Sequence, residues 1–483
     1  MIKFVFDYDK GRKLAIVQTE YLDNLREHFS VEDPIAGIKR ARYGGFSASR
    51  IYVITPAGRF KIGLFGDIAN HIKSLGIPYK MVVTELLKEK FFCDYGIDIL
   101  AELNIELRDY QELAVKKSLT QGNGVIVSAT ASGKTLIITN LVETIRNNSP
   151  KDHKTLIMVP GIQLVEQTYN DLLEYGVDRG IISKWSGDHA HNPESKIVIA
   201  SLSILQSKKT DLTLLDSYDL LIADEVHKFR KGNKANTLLK HISTPHKYGF
   251  TGTLPENKID EWNIIGHFGP ILIKKTTKSL QNEDFITDAK VQVIRIDYKT
   301  PLIYQQRSSF LDPTARYNEE LDFIAKQTYR TQVISKLAHK VNNNMLILVD
   351  RIEQGESITK ALKAFKKGKK IYFIRGSVDV DDREKIRAMM EKEDNIVCVA
   401  ISSIFSTGIN IKNLHYILFA SAGKAKIKII QAIGRGLRLH EDKTMLLIFD
   451  ISDKLEYSNK HLTKRLELYN KENIKYAIKE INE

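Results

Sequence analysis

Apolar positions along the chain change period more than once. In the first ninety residues, IYVIT and RFKIGLF alternate as strands do, while DIANHIKSLG has the three-and-four spacing of a helix that ends at Gly76. This predicts a small mixed α/β unit over 1–90. From about Phe91 the short runs GVIVS, TLIMVP, KIVIAS, DLLIAD and KYGFTGT alternate with longer amphipathic segments. Continuous apolar strands separated by helices predict a parallel sheet covered on both faces. A second series, NMLILVD, KIYFIRG, NIVCVAI, LHYILFAS and TMLLIFD, begins near Val291, and turn-rich Thr251–Asp297 is the expected passage between lobes. After Asp450, KHLTKRLELYNKENIKYAIKEI is polar with apolar residues at helical spacing. The expected architecture is therefore α/β: a unit over 1–90, one lobe over 91–290, another over 291–450, and a short helical extension over 451–483 that packs on the second lobe.

At 483 residues the chain exceeds one typical core. Lys plus Arg number 72 against 59 Asp plus Glu, a formal charge of +13. Such an excess suits a polyanionic partner, nucleic acid first, and is also what an ordinary solvated surface carries. Two cysteines, Cys93 and Cys398, are too few for a disulfide framework or a zinc cluster, which predicts a reducing compartment. The start, MIKFVFDYDKGRK, lacks the apolar core of a signal peptide, and no uncharged apolar run reaches the roughly 18 residues needed to span a bilayer. A soluble cytoplasmic protein that avoids membranes is expected.

Candidate chemistry starts at SATASGKT, Ser128–Thr135, between the strand-like GVIVS and the helix-like LIITNLVETI. A loop so placed aims backbone N–H groups at a triphosphate, and the helix end adds about half a positive charge. Gly133 permits close approach, Lys134 reaches the β and γ phosphates, and Thr135 offers a hydroxyl to Mg²⁺. Ser128 stands where the general pattern has its first glycine, which a negative φ allows. DLLIADEVHKF ends an apolar run with Asp224, suited to hold Mg²⁺ through water, and Glu225, suited to polarise an attacking water. His227 either couples the lobes or is a satisfied core histidine. In IIQAIGRGLRLH, Gln431, Arg435 and Arg438 recur at helical spacing, and a guanidinium can stabilise a transferring phosphoryl group. About three hundred residues separate them from Lys134, so they act there only when lobes close.

In this order the motifs resemble those of a superfamily two helicase over roughly Leu107 to Asp450, which implies two tandem RecA-like lobes with bound ATP and Mg²⁺. LRDYQ resembles the adenine-contacting motif, implying roles for Arg108 and Gln111. Against the group's loop A-x-T-G-S-G-K-T, Thr130, Ser132, Gly133, Lys134 and Thr135 match while Ala131 departs. VPGIQLVEQ and IVIASLSIL resemble segments that track a nucleic-acid backbone, implying contacts from Pro160, Gly161, Gln167 and Ser201. FTGTL matches the motif that links hydrolysis to movement, through Thr251, Gly252 and Thr253. Gly376 and Arg383 in IRGSVDVDDREKI resemble a strand-contacting segment. SSIFSTGINIKNL places Thr407 and Gly408 near phosphate or backbone, with Asn410 where many relatives carry an acid. The chain is similar more narrowly to the phage branch-migration and recombination helicases, through ARYGGFSASR, FSTGINIKNL and the tail after DISD. That implies action on branched or forked DNA such as Holliday junctions, displacement loops and stalled forks. It also extends to RNA–DNA hybrids, to a monomer or weak oligomer, and to a host cytoplasm.

Between Lys39 and Lys80 eight basic residues meet one acid, Asp67, a net of +7. Tyr43, Phe46 and Tyr52 interleave with Arg40, Arg42, Arg50, Arg59 and Lys61, as phosphate contact with base stacking would need. A solvated face over a small aromatic core has the same composition. The expected function is an ATP-dependent DNA helicase or translocase that remodels branched DNA. Other readings are a duplex translocase of a restriction or repair complex, an RNA or RNA–DNA helicase, and an ATP-switched nucleic-acid clamp or annealing protein.

Overall fold

A computed structural model describes residues 2–9, 12–33, 49–84, 95–129, 132–187, 189–244, 246–276, 279, 288–299, 312–364, 368–375, 380–402, 411, 413–420, 445–471 and 474–483. The chain divides into two compact units, Met1–Ser128 with Gly133–Lys275, and Ala129–Ser132 with Thr276–Glu483.

In the first unit seven strands form one wholly parallel sheet, in the order Ile271–Lys275, Gly124–Ser128, His246–Thr251, Leu220–Ala223, Thr155–Val159, Ile197–Ser201 and Ile182–Trp185. The five central strands are largely apolar because both faces are covered. Ile126, Ile157, Ile199 and Ile222 enter one core, while Val125, Val127, Met158, Val198 and Leu221 enter the other. Five strands fall where the apolar runs put them. Two edge strands, Ile182–Trp185 and Ile271–Lys275, carry lysines and no continuous apolar run. Pattern alone therefore missed them.

The N-terminal segment builds a four-stranded sheet in the order Arg59–Phe60, Arg12–Gln18, Ile2–Asp9 and Tyr79–Val83, with helix Phe65–Ser74 against it. IYVIT and RFKIGLF are strands only at Arg50–Tyr52 and Arg59–Phe60. The former pairs with Ser30–Glu32, and the latter turns at once into Ile62–Leu64. This sheet is not sealed by its own side chains. Phe4, Phe29, Ile68 and Ile72 share a core with Ile259, Trp262 and Ile265 of helix Lys258–Phe268, which belongs to the large sheet's layer. The supposed inter-lobe passage thus holds a helix and an edge strand of the first unit.

The second unit has another parallel seven-stranded sheet, ordered Lys370–Ile374, Ile396–Ile401, Met345–Val349, Tyr416–Phe419, Met445–Asp453, Asp288–Asp297 and Lys475–Asn482. A lobe boundary at 290/291 would cut strand Asp288–Asp297, which lies whole in this sheet. The tail is not helical throughout either. Helix Glu456–Lys471 is followed by strand Lys475–Asn482, which pairs with Lys290 to Asp297 of strand Asp288–Asp297. KYAIKEIN has no strict alternation, so it reads as a continuation of the helical pattern before it. Among the described residues no helix is long and apolar enough to cross a membrane.

Candidate nucleotide site

Three neighbouring strands, Gly124–Ser128, His246–Thr251 and Leu220–Ala223, end at the same edge of the first sheet. The carboxyl ends of parallel strands are where such folds place ligands, because the loops there lead into helix N-termini. Ser128 leads into the phosphate-type loop, Ala223 into Asp224 and Glu225, and Thr251 into Gly252 and Thr253.

Helix Lys134–Asn147 opens at Gly133, which has φ +74 and caps it with no side chain. A Cβ at Gly133 would overlap Gln111 Nε2, so glycine is required there twice over. Gln111 is 2% exposed and accepts a hydrogen bond from the Arg108 N–H at 2.9 Å through Oε1. The LRDYQ segment therefore buttresses the loop and starts helix Asp109–Gln121. Lys134 Nζ donates to the Ser128 carbonyl at 3.4 Å, folding back over the loop. Thr135 is half-buried in the first turn, and Ser132 is buried in the loop. Thr130 lies outside the described residues.

Glu225 has φ 52, in the left-handed region that a branched carbon backbone avoids. Such strain persists where the surroundings fix it, and here the carboxylate meets His227. The Asp224 N–H donates to Met158 O at 2.9 Å, and Asp224 Oδ1 accepts from the Glu225 N–H at 2.8 Å. Burial and the neighbouring Glu225 charge push the Asp224 carboxyl up to about 6. Burial opposes the Glu225 charge too, but His227 and Lys134 outweigh it and hold that carboxyl at about 2. Of the two carboxyls, Glu225 is thus the one held more firmly in the ionised form.

His227 is 4% exposed, and its Nδ1 lies 3.1 Å from Glu225 Oε2 and 3.0 Å from Thr251 Oγ1. The Thr251 hydroxyl donates to Thr253 O at 2.8 Å and accepts from the Thr253 N–H at 3.3 Å. With its own proton so used, Thr251 receives the Nδ1–H of His227, which assigns that tautomer. His227 is therefore a buried, hydrogen-bonded histidine, and within the first unit it joins the acid of one motif to the threonine of another. The strained φ of Glu225 had no sequence signal.

This site fits a nucleotide with its metal. Ser128 Oγ is buried with no hydrogen-bond partner among the described residues, which in a folded interior marks a place where a water or ligand atom belongs. Asp224 and Thr135 are the oxygen donors available to Mg²⁺, and Lys134 is the nearby cation.

The nucleic-acid candidates fare unevenly. Pro160 and Gly161 form the turn between strand Thr155–Val159 and helix Ile162–Glu174, and Gln167 is half-buried on that helix. Ser201 does not present its hydroxyl to a ligand: it is fully buried, caps Leu202–Leu205 through the Ile204 N–H and meets Ser203 Oγ at 2.9 Å. Arg50 is held by Ser30 Oγ at 2.8 Å and Glu27 Oε1 at 2.9 Å, whereas Arg59 is exposed. Lys61 is turned inward. Its Nζ lies 2.6 Å from both Asn263 Oδ1 and His267 Nε2 on helix Lys258–Phe268. Arg40, Arg42, Tyr43, Phe46, Gly376, Thr407, Gly408, Gln431, Arg435 and Arg438 lie outside the described residues, as does the side chain of Arg383 in helix Val380–Lys392.

The family described as type III restriction enzyme, res subunit, matches residues 104–256, and the helicase conserved C-terminal domain matches residues 329–440. The chain is 26% identical to the ATP-dependent DNA helicase UvsW of Enterobacteria phage T4, over 95% of each. The chain is a superfamily two helicase. This helicase is also 24% identical to the DNA 3'-5' translocase XPB2 of Sulfurisphaera tokodaii, over 71% of this chain and 81% of that one. The type ISP restriction-modification enzyme LlaBIII, solved bound to DNA, matches its fold at a TM-score of 0.57 and 14% identity, over 86% of this chain and 34% of that one. The helicase is thus an ATP-hydrolysing enzyme that acts on nucleic acid.

Proposed function

We propose that this helicase couples ATP hydrolysis to movement on branched DNA, remodelling junctions, displacement loops and stalled forks. The branched-DNA reading is supported by similarity over nearly the full length of UvsW, a DNA helicase by name. The hydrolytic role rests on one geometric observation, the buried Glu225 Oε2 set 3.1 Å from His227 Nδ1. Glu225 polarises the attacking water, Lys134 and the loop amides hold the phosphates, and Asp224 with Thr135 holds Mg²⁺, which neutralises charge developing on the phosphoryl oxygens. Arg435 and Arg438 supply further cations to this reaction, and Gln431 is the third catalytic candidate of the same motif. Arg40, Arg42, Tyr43 and Phe46 add grip on DNA that is blind to sequence.

Phosphate release, measured with no DNA, linear duplex and a synthetic four-way junction, tests this directly, alongside strand exchange on the same junction. Turnover that rises most with the junction and drives branch migration is the expected result. Turnover that no DNA stimulates would refute the motor reading, and preferential unwinding of RNA–DNA hybrids would redirect the substrate.

A further inference from the structure

Lys61 was a candidate for contacting nucleic acid, and the structure gives it another neighbourhood. The Ile62–Leu64 turn that follows it sits directly on the backbone of helix Lys258–Phe268. A Cβ at Gly63 would overlap the Ile265 carbonyl, and a Cβ at Gly266 would overlap the Lys61 stem. Two glycines thus permit a backbone-to-backbone seat that any side chain would lift. Lys61 Nζ then donates to Asn263 Oδ1 at 2.6 Å.

Asn263 is 5% exposed, and its amide has no spare capacity on that side: Nδ2 donates to Phe229 O at 2.9 Å and to Asn236 Oδ1 at 2.8 Å. Phe229 closes the Val226–Lys228 turn that carries His227 and follows Glu225, and its own N–H bonds Val226 O at 2.9 Å. The Lys231 N–H binds Asp260 Oδ1 of the same helix at 3.0 Å, a second clamp on this segment. An asparagine can flip its amide with little steric change. With Nδ2 committed to Phe229 O and Asn236 Oδ1, the Oδ1 end faces the N-terminal segment, where Lys61 is its donor.

We propose that Lys61 is a positioning residue through which the N-terminal unit sets the geometry of the Glu225–His227 turn, by way of Asn263. Without the lysine donor, Asn263 Oδ1 is left buried and unpaired, which loosens the amide that donates to the Phe229 carbonyl. Glu225, already strained, is then held less well over the phosphate. This rests on the hydrolytic reading of Glu225.

The test is steady-state ATP hydrolysis by the full chain at saturating DNA, for wild type, Lys61→Met, Asn263→Asp, the double variant, and exposed Lys117→Met as control. Asn263→Asp keeps an acceptor for Lys61 while removing the donor to Phe229, so it reads the relay even if Lys61→Met folds poorly. Lys61→Met and Asn263→Asp should each lower kcat about fivefold or more, with ATP KM changed less than about twofold, and the double variant should fall no further. Wild-type kcat in Asn263→Asp, equal shifts in kcat and KM, or multiplicative losses in the double variant would each overturn the relay. Absence of turnover in wild type would instead overturn the hydrolytic reading itself.

Discussion

Glu225 Oε2 and His227 Nδ1 lie 3.1 Å apart, the first on a left-handed backbone and the second also 3.0 Å from Thr251 Oγ1. The group proposed to polarise water is thus tied through one imidazole to the strand end that begins FTGTL. Glu225→Gln keeps the shape and removes the charge, so turnover should fall by about 10²–10⁴-fold, the usual span for a general base. ATP binding, read by fluorescence of a labelled analogue, should persist. Loss of binding equal to the loss of rate would assign Glu225 to nucleotide grip instead.

His227→Ala should act differently. It leaves the carboxylate and removes the link to Thr251, so unwinding per ATP hydrolysed should drop more than hydrolysis itself. Thr251→Val breaks the same link from the other end. In a double-variant cycle on unwinding rate, the two losses should overlap by about 0.5–3 kcal/mol, as contacting residues do. Strict additivity would mean that His227 serves only to fill its pocket.

Gly133→Ala tests the loop. The left-handed φ alone costs an alanine about 1–2 kcal/mol, and the new carbon displaces the Gln111 amide. Nucleotide affinity should therefore fall by about tenfold or more, since 1.4 kcal/mol is one decade. Isothermal titration with a non-hydrolysable analogue measures it. Undiminished affinity would show that the loop binds with Gly133 in another conformation.

Lys61 also makes a statement about stability against pH. Burial, then the charges of Lys231 and Lys240, lower its ammonium to about 7, from the 10.5 it has when unfolded. His267 faces it as a neutral acceptor, its own pKa driven down to about 2 by burial and by Lys61, Lys247 and Lys240. Between about pH 7 and 10.5 the unfolded chain holds a proton at Lys61 that the folded chain has released. Stability therefore rises with pH across that window and is complete above it. In Lys61→Met this part of the rise should vanish from denaturation curves taken at pH 6.5 to 10, leaving the share due to Lys247, lowered to about 8 by burial. An unchanged slope would show that Lys61 titrates as if in water.

The parallel strands that carry Ser128, Asp224 and Thr251 were legible because doubly covered strands need unbroken apolar runs. The residues after them stood out as candidates because phosphate chemistry admits few residue types. Edge strands Ile182–Trp185 and Lys475–Asn482 were not, since one open side lets lysine and serine interrupt the pattern. Lys61 and Ser201 were misplaced for a related reason. A basic or hydroxyl residue in a polar stretch reads as surface, and only the fold shows that Gly63 and Gly266 let Lys61 descend onto Asn263, or that Ser201 is consumed by a cap. Glu225's backbone strain leaves no trace in composition at all.

The second unit carries a buried ion pair with its own consequence. Arg330 of helix Thr328–Lys340 and Asp453 at the end of strand Met445–Asp453 are 1% and 0% exposed, with Nε 2.9 Å from Oδ1. The Tyr298 hydroxyl donates to the same Asp453 oxygen, and that environment pushes the phenol pKa up, first through burial and then through the aspartate charge. A buried charge left without its partner keeps its full desolvation cost, so Arg330→Met alone should destabilise the chain by about 3–5 kcal/mol. Arg330→Met with Asp453→Leu removes both charges and should recover part of that loss. Thermal and urea unfolding of the three proteins decides it. A double variant as unstable as the sum of its parts would mean that packing around Tyr298, and not charge pairing, makes this helix and strand depend on each other.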